Sequence, residues 1–163
     1  MTDTIRLATQ NDAEDLLALT TAAYEPIRKL GLKFPAASAD IESVHRLLSQ
    51  GGTYALVRRG EIIATASIAE PGDVRKAIPY PCDLPFVWWV ATRPSHSGSG
   101  VASSLLTWME DSLVRDQLRA PAIALATSAS HPWLVPFYER RGYRIFHRSG
   151  EGKNRVLMQK VLQ

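Results

Sequence analysis

Only one cysteine, Cys82, stands among the 163 residues. A lone thiol closes no internal disulfide and builds no metal site, so neither is expected to hold this chain together. No apolar run approaches the ~20 residues needed to cross a bilayer. The opening Met1-Thr2-Asp3-Thr4-Ile5-Arg6-Leu7 shows no basic stretch followed by an apolar one, as a secretion leader would. An excess of one sign of charge is small as well. The formal net charge is +3, and the basic residues are scattered, with few adjacent pairs such as Arg58-Arg59 and Arg140-Arg141. A DNA or RNA binder gathers them on one face. These absences predict a cytoplasmic protein with neither nucleic acid nor membrane as partner. A mild positive excess suits an anionic small molecule.

Apolar residues make up 45% of the chain and charged residues 21%, values that fit a folded domain and not a disordered one. The length suits a single domain, 1–163, able to bury its own core. Ile5 to Thr9 alternates like a short strand, and Thr9 with Asp12 resembles a capping box. The helix that follows carries Ala13, Leu16, Leu17, Thr20 and Ala23 on one face. Leu30 to Ser38 reads as a loop. A second helix is expected over Ala39–Leu48, with Ile41, Val44, Leu47 and Leu48 facing inward. Thr53–Arg58 and Ile62–Ala69 read as a hairpin across Arg59-Gly60-Glu61. Pro71 to Pro85 holds prolines at 71, 79, 81 and 85, which excludes a central strand and makes a long loop of a kind that is often functional.

Phe86–Ala91 is the most apolar strand candidate. Trp88 and Trp89 within it should point to opposite faces, as packing residues and not as a substrate cage. A long amphipathic helix follows with Val101, Leu105, Leu106, Trp108, Met109 and Leu113 on its apolar side. Then come a strand at Ala122–Ala126, a short helix at about Leu134–Arg141 stopped by Gly142, and strands at Tyr143–Arg148 and Arg155–Leu162. The order β, α, α, β, β, β, α, β, α, β, β implies a mixed α/β sheet with helices on its faces.

Between Phe86–Ala91 and the long helix lies Thr92-Arg93-Pro94-Ser95-His96-Ser97-Gly98-Ser99-Gly100. A strand that breaks into glycines and restarts as a helix makes an anion site. The first helical turn leaves N–H groups without partners, and the dipole adds partial positive charge there. A P-loop would need a lysine, and none occurs between Lys76 and Lys153. A dinucleotide fingerprint would need a third glycine where Ser103 stands, and an acid where the next strand ends in Ala126-Thr127-Ser128. Both fit poorly.

Val90 to Ala102 instead resembles the acetyl-CoA motif of the GNAT N-acetyltransferase superfamily. Ile5-Arg6-x-Ala8-Thr9 with Asp12-Ala13 is similar to its usual opening. Pro136-Phe137-Tyr138-Glu139-Arg140-Arg141-Gly142-Tyr143 is similar to its closing segment. The resemblance implies the GNAT fold: a mixed, mostly antiparallel sheet of six to seven strands flanked by about four helices. It implies acetyl-CoA as co-substrate, with acetyl transfer directly to a primary amine of a small molecule or peptide. The backbone of Val90, Ala91 and Thr92 would bind the pantetheine arm. Ser97, Gly98, Ser99, Gly100, Val101 and Ala102 would cradle the pyrophosphate. Ser97 stands where the family usually has Gln or Arg; its hydroxyl can donate to phosphate, but the contact of a long amide or a charge-assisted one is lost and weaker affinity is expected. His131 takes the place of an Asn that contacts the cofactor in many members, and its imidazole could donate in the same way; the alternative is that His131-Pro132 simply shapes the loop.

Tyr138 aligns with the family tyrosine proposed to protonate the leaving thiolate, a role open to a phenol with an ordinary pKa near 10. The general base is not identified by position. Glu70, Asp83, Glu25 and His96 are the candidates, as is a base acting through water. Tyr24 to Ser38, the 71–85 segment and the last hairpin are expected to form the substrate lobe. None carries the acidic cluster that a polycation would want. Two rivals remain: a non-catalytic acyl-CoA sensor, and an acyltransferase using another acyl group or an oxygen nucleophile. A homodimer is compatible with the fold.

Overall fold

The computed structural model describes residues 3–162. Its strands are β1 (Thr4–Leu7), β2 (Thr53–Arg58), β3 (Glu61–Ala69), β4 (Phe86–Thr92), β5 (Ala122–Ser128), β6 (Arg144–Ser149) and β7 (Arg155–Val161). They form a seven-stranded sheet in the order β1-β2-β3-β4-β5-β7-β6. The helices are α1 (Ala13–Ala23), α2 (Glu25–Lys29), α3 (Ile41–Ser49), α4 (Pro71–Arg75), α5 (Val101–Trp108) and α6 (Leu134–Arg140). The expected order is present, and two five-residue helices, α2 and α4, join it. No helix among the described residues is long and apolar enough to cross a membrane.

The chain falls into two compact units, Met1–Ser67 with Trp89–Thr107, and Ile68–Trp88 with Trp108–Gln163. In the first, β1, β2 and β3 form an antiparallel meander. Arg59 and Gly60 both take positive φ (53° and 77°), the conformation of a two-residue hairpin turn that follows the strand twist. Asp12 accepts the Thr9 N–H at 2.8 Å and receives both Arg6 guanidinium nitrogens at 2.8 and 3.0 Å. Arg6 holds its carboxyl below the ordinary range. Leu16, Leu19 and Thr20 are the buried face of α1, while Leu17 is half-buried. Asp40 caps α3 by accepting the Ser43 N–H at 2.8 Å. That places Ile41 in the first turn with 37% of its surface exposed, against the expectation that it faces inward.

In the second unit β5, β7 and β6 are antiparallel neighbours, and β4 pairs with β5 in parallel at Phe86↔Ala124 and Val87↔Leu125. The proline-rich segment contributes to this unit's core. Pro71 opens α4, where a missing N–H is harmless, and Val74 and Tyr80 join Phe86, Ala124 and Leu157 in one apolar cluster. The Tyr80 hydroxyl donates to the Leu84 carbonyl at 2.6 Å, and its ring meets Phe86 edge-on at 5.4 Å. Trp88 and Cys82 pack half-buried against the same cluster.

The long helix differs from expectation in its second half. After α5 it widens into a π-helical segment, Met109–Gln117, in which the Leu118 N–H reaches back five residues to the Leu113 carbonyl at 2.9 Å. The sequence gives the reason. Leu105-Leu106, Met109-Glu110 and Leu113-Val114 are buried in pairs that recur every four residues. A 3.6-residue helix would rotate such a stripe steadily out of register. Wider turns keep it on one side.

Candidate active site

β4 is deformed where the bend begins. Trp89 has φ +53, a value that a bulky L-residue adopts only under constraint. Its side chain is buried, and its indole N–H donates to the Thr20 hydroxyl at 3.1 Å. The strand is thus irregular at Trp89, and both tryptophans pack in core, as expected from sequence. One residue on, the Tyr24 hydroxyl donates to the Val90 carbonyl at 2.7 Å. Tyr24 was not among the sequence candidates for this strand. Arg93 then ties the strand end to β3: its amide donates to the Ile63 carbonyl at 2.8 Å, and its guanidinium to the Ile62 carbonyl at 2.9 and 3.2 Å.

A short turn, Pro94–His96, leads into Ser97 to Gly100, which are exposed. Gly98 and Gly100 have φ +78 and +83, and a Cβ built on either meets nothing within 4 Å. The backbone therefore takes a left-handed path with free space beside it. Within the turn the Ser99 hydroxyl donates to the His96 carbonyl, while His96 Nδ1 lies 3.1 Å from the Ser95 hydroxyl. The Ser104 N–H donates to the Gly100 carbonyl at 2.9 Å, and the amides of Val101, Ala102 and Ser103, in the first turn, lie ahead of the helix's own acceptors. This cradle fits a phosphate-bearing group. Open space at two left-handed glycines next to a helix N-terminus lets an anion reach the N–H groups closely.

In the second unit Tyr138 lies on α6, and 9% of its surface is exposed. Burial pushes its phenol up to about 12, against the opposing pull of Arg141. Its ring meets Phe137 and Tyr143 edge-on at 5.1 and 5.6 Å. Its hydroxyl makes no hydrogen bond among the described residues. His131 is buried, with 4% of its surface exposed. Its Nδ1 accepts the N–H groups of Trp133 and Leu134 at 3.2 and 3.3 Å, which caps α6. Only Nε2 is then left to carry the proton and to donate.

His131→Ala should lower stability by about 1 kcal/mol, while His131→Asn, with another acceptor at the cap, should recover part of it, as read by denaturant unfolding. Burial holds the His131 pKa below its ordinary value. The unfolded chain therefore takes up this proton first. The cap's contribution is complete above about pH 6.5 and declines as pH falls below that.

The four base candidates are not brought into one cluster. Glu70 is exposed just before α4. Asp83 pairs with Arg75 at 3.1 Å, its side chain 89% exposed. Glu25 pairs with Lys29 at 3.1 Å on the surface of α2. His96 lines an open cleft with Arg58, Arg59, Glu61 and Ile63. Among the described residues no group of three or more His, Cys, Asp or Glu is placed to hold a metal ion.

One buried acid escaped the sequence reading. Glu110, the second residue of the π-helical segment, receives Arg141 at 3.0 and 3.1 Å, Lys160 at 2.8 Å and the Tyr143 hydroxyl at 2.8 Å. The signal that could have found it is an acid inside the four-residue apolar stripe.

The sequence model of the Acetyltransferase (GNAT) family matches residues 14–143. S-alkylcysteine N-acetyltransferase of Bacillus subtilis (strain 168) is 43% identical over 162 residues, covering 98% of this chain and 89% of that protein. S-(2-succino)cysteine N-acetyltransferase of the same organism is 42% identical over 163 residues, covering 97% and 95%. Among solved structures, a GNAT-family acetyltransferase from Streptococcus agalactiae 2603 superposes with a TM-score of 0.80 at 17% identity, covering 99% of this chain and 96% of that one. The PaiA N-acetyltransferase of Thermoplasma acidophilum, in complex with coenzyme A, gives 0.71 at 14% identity, covering 99% of both chains.

Proposed function

Since the chain belongs to the GNAT family and is an N-acetyltransferase, we propose that it moves the acetyl group of acetyl-CoA to the α-amino group of a small S-substituted cysteine. The observation that carries the donor assignment is the open left-handed turn at Gly98 and Gly100. The acceptor assignment rests on the two full-length relatives, whose names specify S-alkylcysteine and S-(2-succino)cysteine. The sensor reading is set aside with the family's enzymatic relatives.

Acetyl-CoA, when bound, supplies an acetyl thioester, whose C–S bond gives way to a C–N bond with release of the thiol. The amides of Gly98 to Ala102 hold the pyrophosphate, with Ser97 adding only a short hydroxyl where a longer side chain is usual. The backbone of Val90, Ala91 and Thr92 lines the pantetheine arm, and Tyr24 fixes the Val90 carbonyl so that its peptide cannot turn. His131 donates from Nε2, its other nitrogen being committed to the α6 cap. Tyr138 gives its phenolic proton to the departing sulfur and is reprotonated, through solvent, by the proton that the nitrogen loses as the amide forms, and burial keeps that phenol protonated at neutral pH.

The amine must lose a proton before it attacks. Chain α-amines titrate near about 8, lysine-type amines near about 10. An α-amino acceptor therefore asks less of a base. An exposed carboxylate such as Glu70 or Asp83, acting through water, suffices.

A steady-state assay of thiol release tests the acceptor class. S-methylcysteine and S-(2-succino)cysteine should be turned over with kcat/KM at least tenfold above that for free cysteine or spermidine. Equal rates for all four, or a preference for spermidine, would overturn the assignment.

A further inference from the structure

We propose that Glu110 is a positioning residue for Tyr138, acting through Tyr143 and Arg141. This rests on the reading of Tyr138 as the group that protonates the leaving thiol.

Glu110 stands where the helix's apolar stripe calls for a hydrophobic residue, and 1% of its surface is exposed. Its carboxylate takes four close contacts from three donors: Arg141 Nη2 at 3.0 and 3.1 Å, Tyr143 Oη at 2.8 Å and Lys160 Nζ at 2.8 Å. A buried ion cluster of this kind is a poor stabiliser beside an apolar side chain of similar size. What it does supply is fixed geometry. It joins the π-helical segment, the corner between α6 and β6, and β7.

That corner holds Tyr138 by two routes. The amides of Arg141 and Tyr143 both donate to the Tyr138 carbonyl, at 3.0 and 3.1 Å. The Tyr143 ring stands edge-on to the Tyr138 ring at 5.6 Å and 72°. Lys160 Nζ, the third donor, lies over the Tyr143 ring at 5.9 Å from its centroid. The Tyr138 hydroxyl has no hydrogen bond of its own among the described residues. Its aim is set by the ring and backbone contacts that Glu110 anchors. The charges matter too. Arg141 already pulls the Tyr138 phenol downward, and Glu110 neutralises part of the Arg141 and Lys160 charge beside it.

The test is a double-mutant cycle between Glu110→Gln and Tyr138→Phe, with acetyl-CoA affinity and melting temperature recorded for each variant. Glu110→Gln in the wild-type background should lower kcat about tenfold and leave KM and acetyl-CoA affinity within twofold. In the Tyr138→Phe background the same change should lower kcat less than twofold. Glu110→Gln should also shift the tyrosinate absorbance transition of Tyr138, assigned by its loss in Tyr138→Phe, downward by about one unit, because the negative charge facing Arg141 and Lys160 is removed. A merely structural acid would lower kcat equally in both backgrounds, and that result would overturn the proposal, as would an unchanged wild-type kcat. Where Glu110→Gln fails to fold, Tyr143→Phe, which removes a single hydroxyl, replaces it in the cycle with an expected three- to fivefold loss. A Tyr138→Phe enzyme as fast as wild type would refute Tyr138 itself and the proposal with it, a failure separable from that of Glu110.

Discussion

Gly100→Trp should raise the dissociation constant for acetyl-CoA at least a hundredfold in a calorimetric titration. The backbone at residue 100 has φ +83, and free space lies where a Cβ would be. A side chain there fills the volume through which a pyrophosphate reaches the amides. The substitution also strains the backbone, by about 1 kcal/mol for a left-handed L-residue. Strain and blockage are separated by a matched control. Gly51, just past α3, has φ +76 and the same free space. Gly51→Trp should therefore lose a similar amount of stability and keep acetyl-CoA binding. Equal loss of binding in both variants would mean that the turn acts only through the fold.

Tyr138→Phe should reduce kcat about a hundredfold with KM for the amine nearly unchanged, the usual scale for loss of a general acid. Since the hydroxyl has no hydrogen-bond partner among the described residues, its removal leaves no orphaned group, and the melting temperature should hold within a degree or two. The pH profile carries further information. With the phenol pushed up to about 12, it stays protonated across the accessible range. kcat/KM should then rise with pH as the acceptor amine loses its proton, and level off without an alkaline decline below about pH 11. A decline between pH 8 and 10 in the wild-type enzyme would point to another acid.

The cofactor bend was legible in the sequence because backbone atoms do its work. Gly98 and Gly100 have to appear as glycines, and the apolar strand and helix that flank them announce themselves by pattern. The element order was legible for the same reason. Where side chains reach across the fold, the sequence said less. His131 was singled out as a cofactor contact or a loop-shaping residue, and nothing in the sequence showed that its Nδ1 accepts the amides of Trp133 and Leu134. Trp89 looked like one more alternating strand residue, yet the strand turns left-handed at its backbone while its indole reaches Thr20. Glu110 was not singled out at all on the amphipathic helix. The four-residue spacing of Leu105-Leu106, Met109-Glu110 and Leu113-Val114 carried the π-helical turn and the buried acid together. No periodicity marks a general base that works through water, so Glu70 and Asp83 stay as proposals.

The most direct measurement follows the acetyl carbon itself. The protein is mixed with acetyl-CoA labelled with ¹³C at the carbonyl and with S-(2-succino)cysteine, and the carbonyl signal is recorded by NMR while free thiol is counted. The account predicts that the thioester signal is replaced by a single amide signal on the α-nitrogen, one equivalent per thiol released, with no label on the protein. Label retained as thioester, or found on Cys82 or another protein group, would contradict direct transfer to the amine.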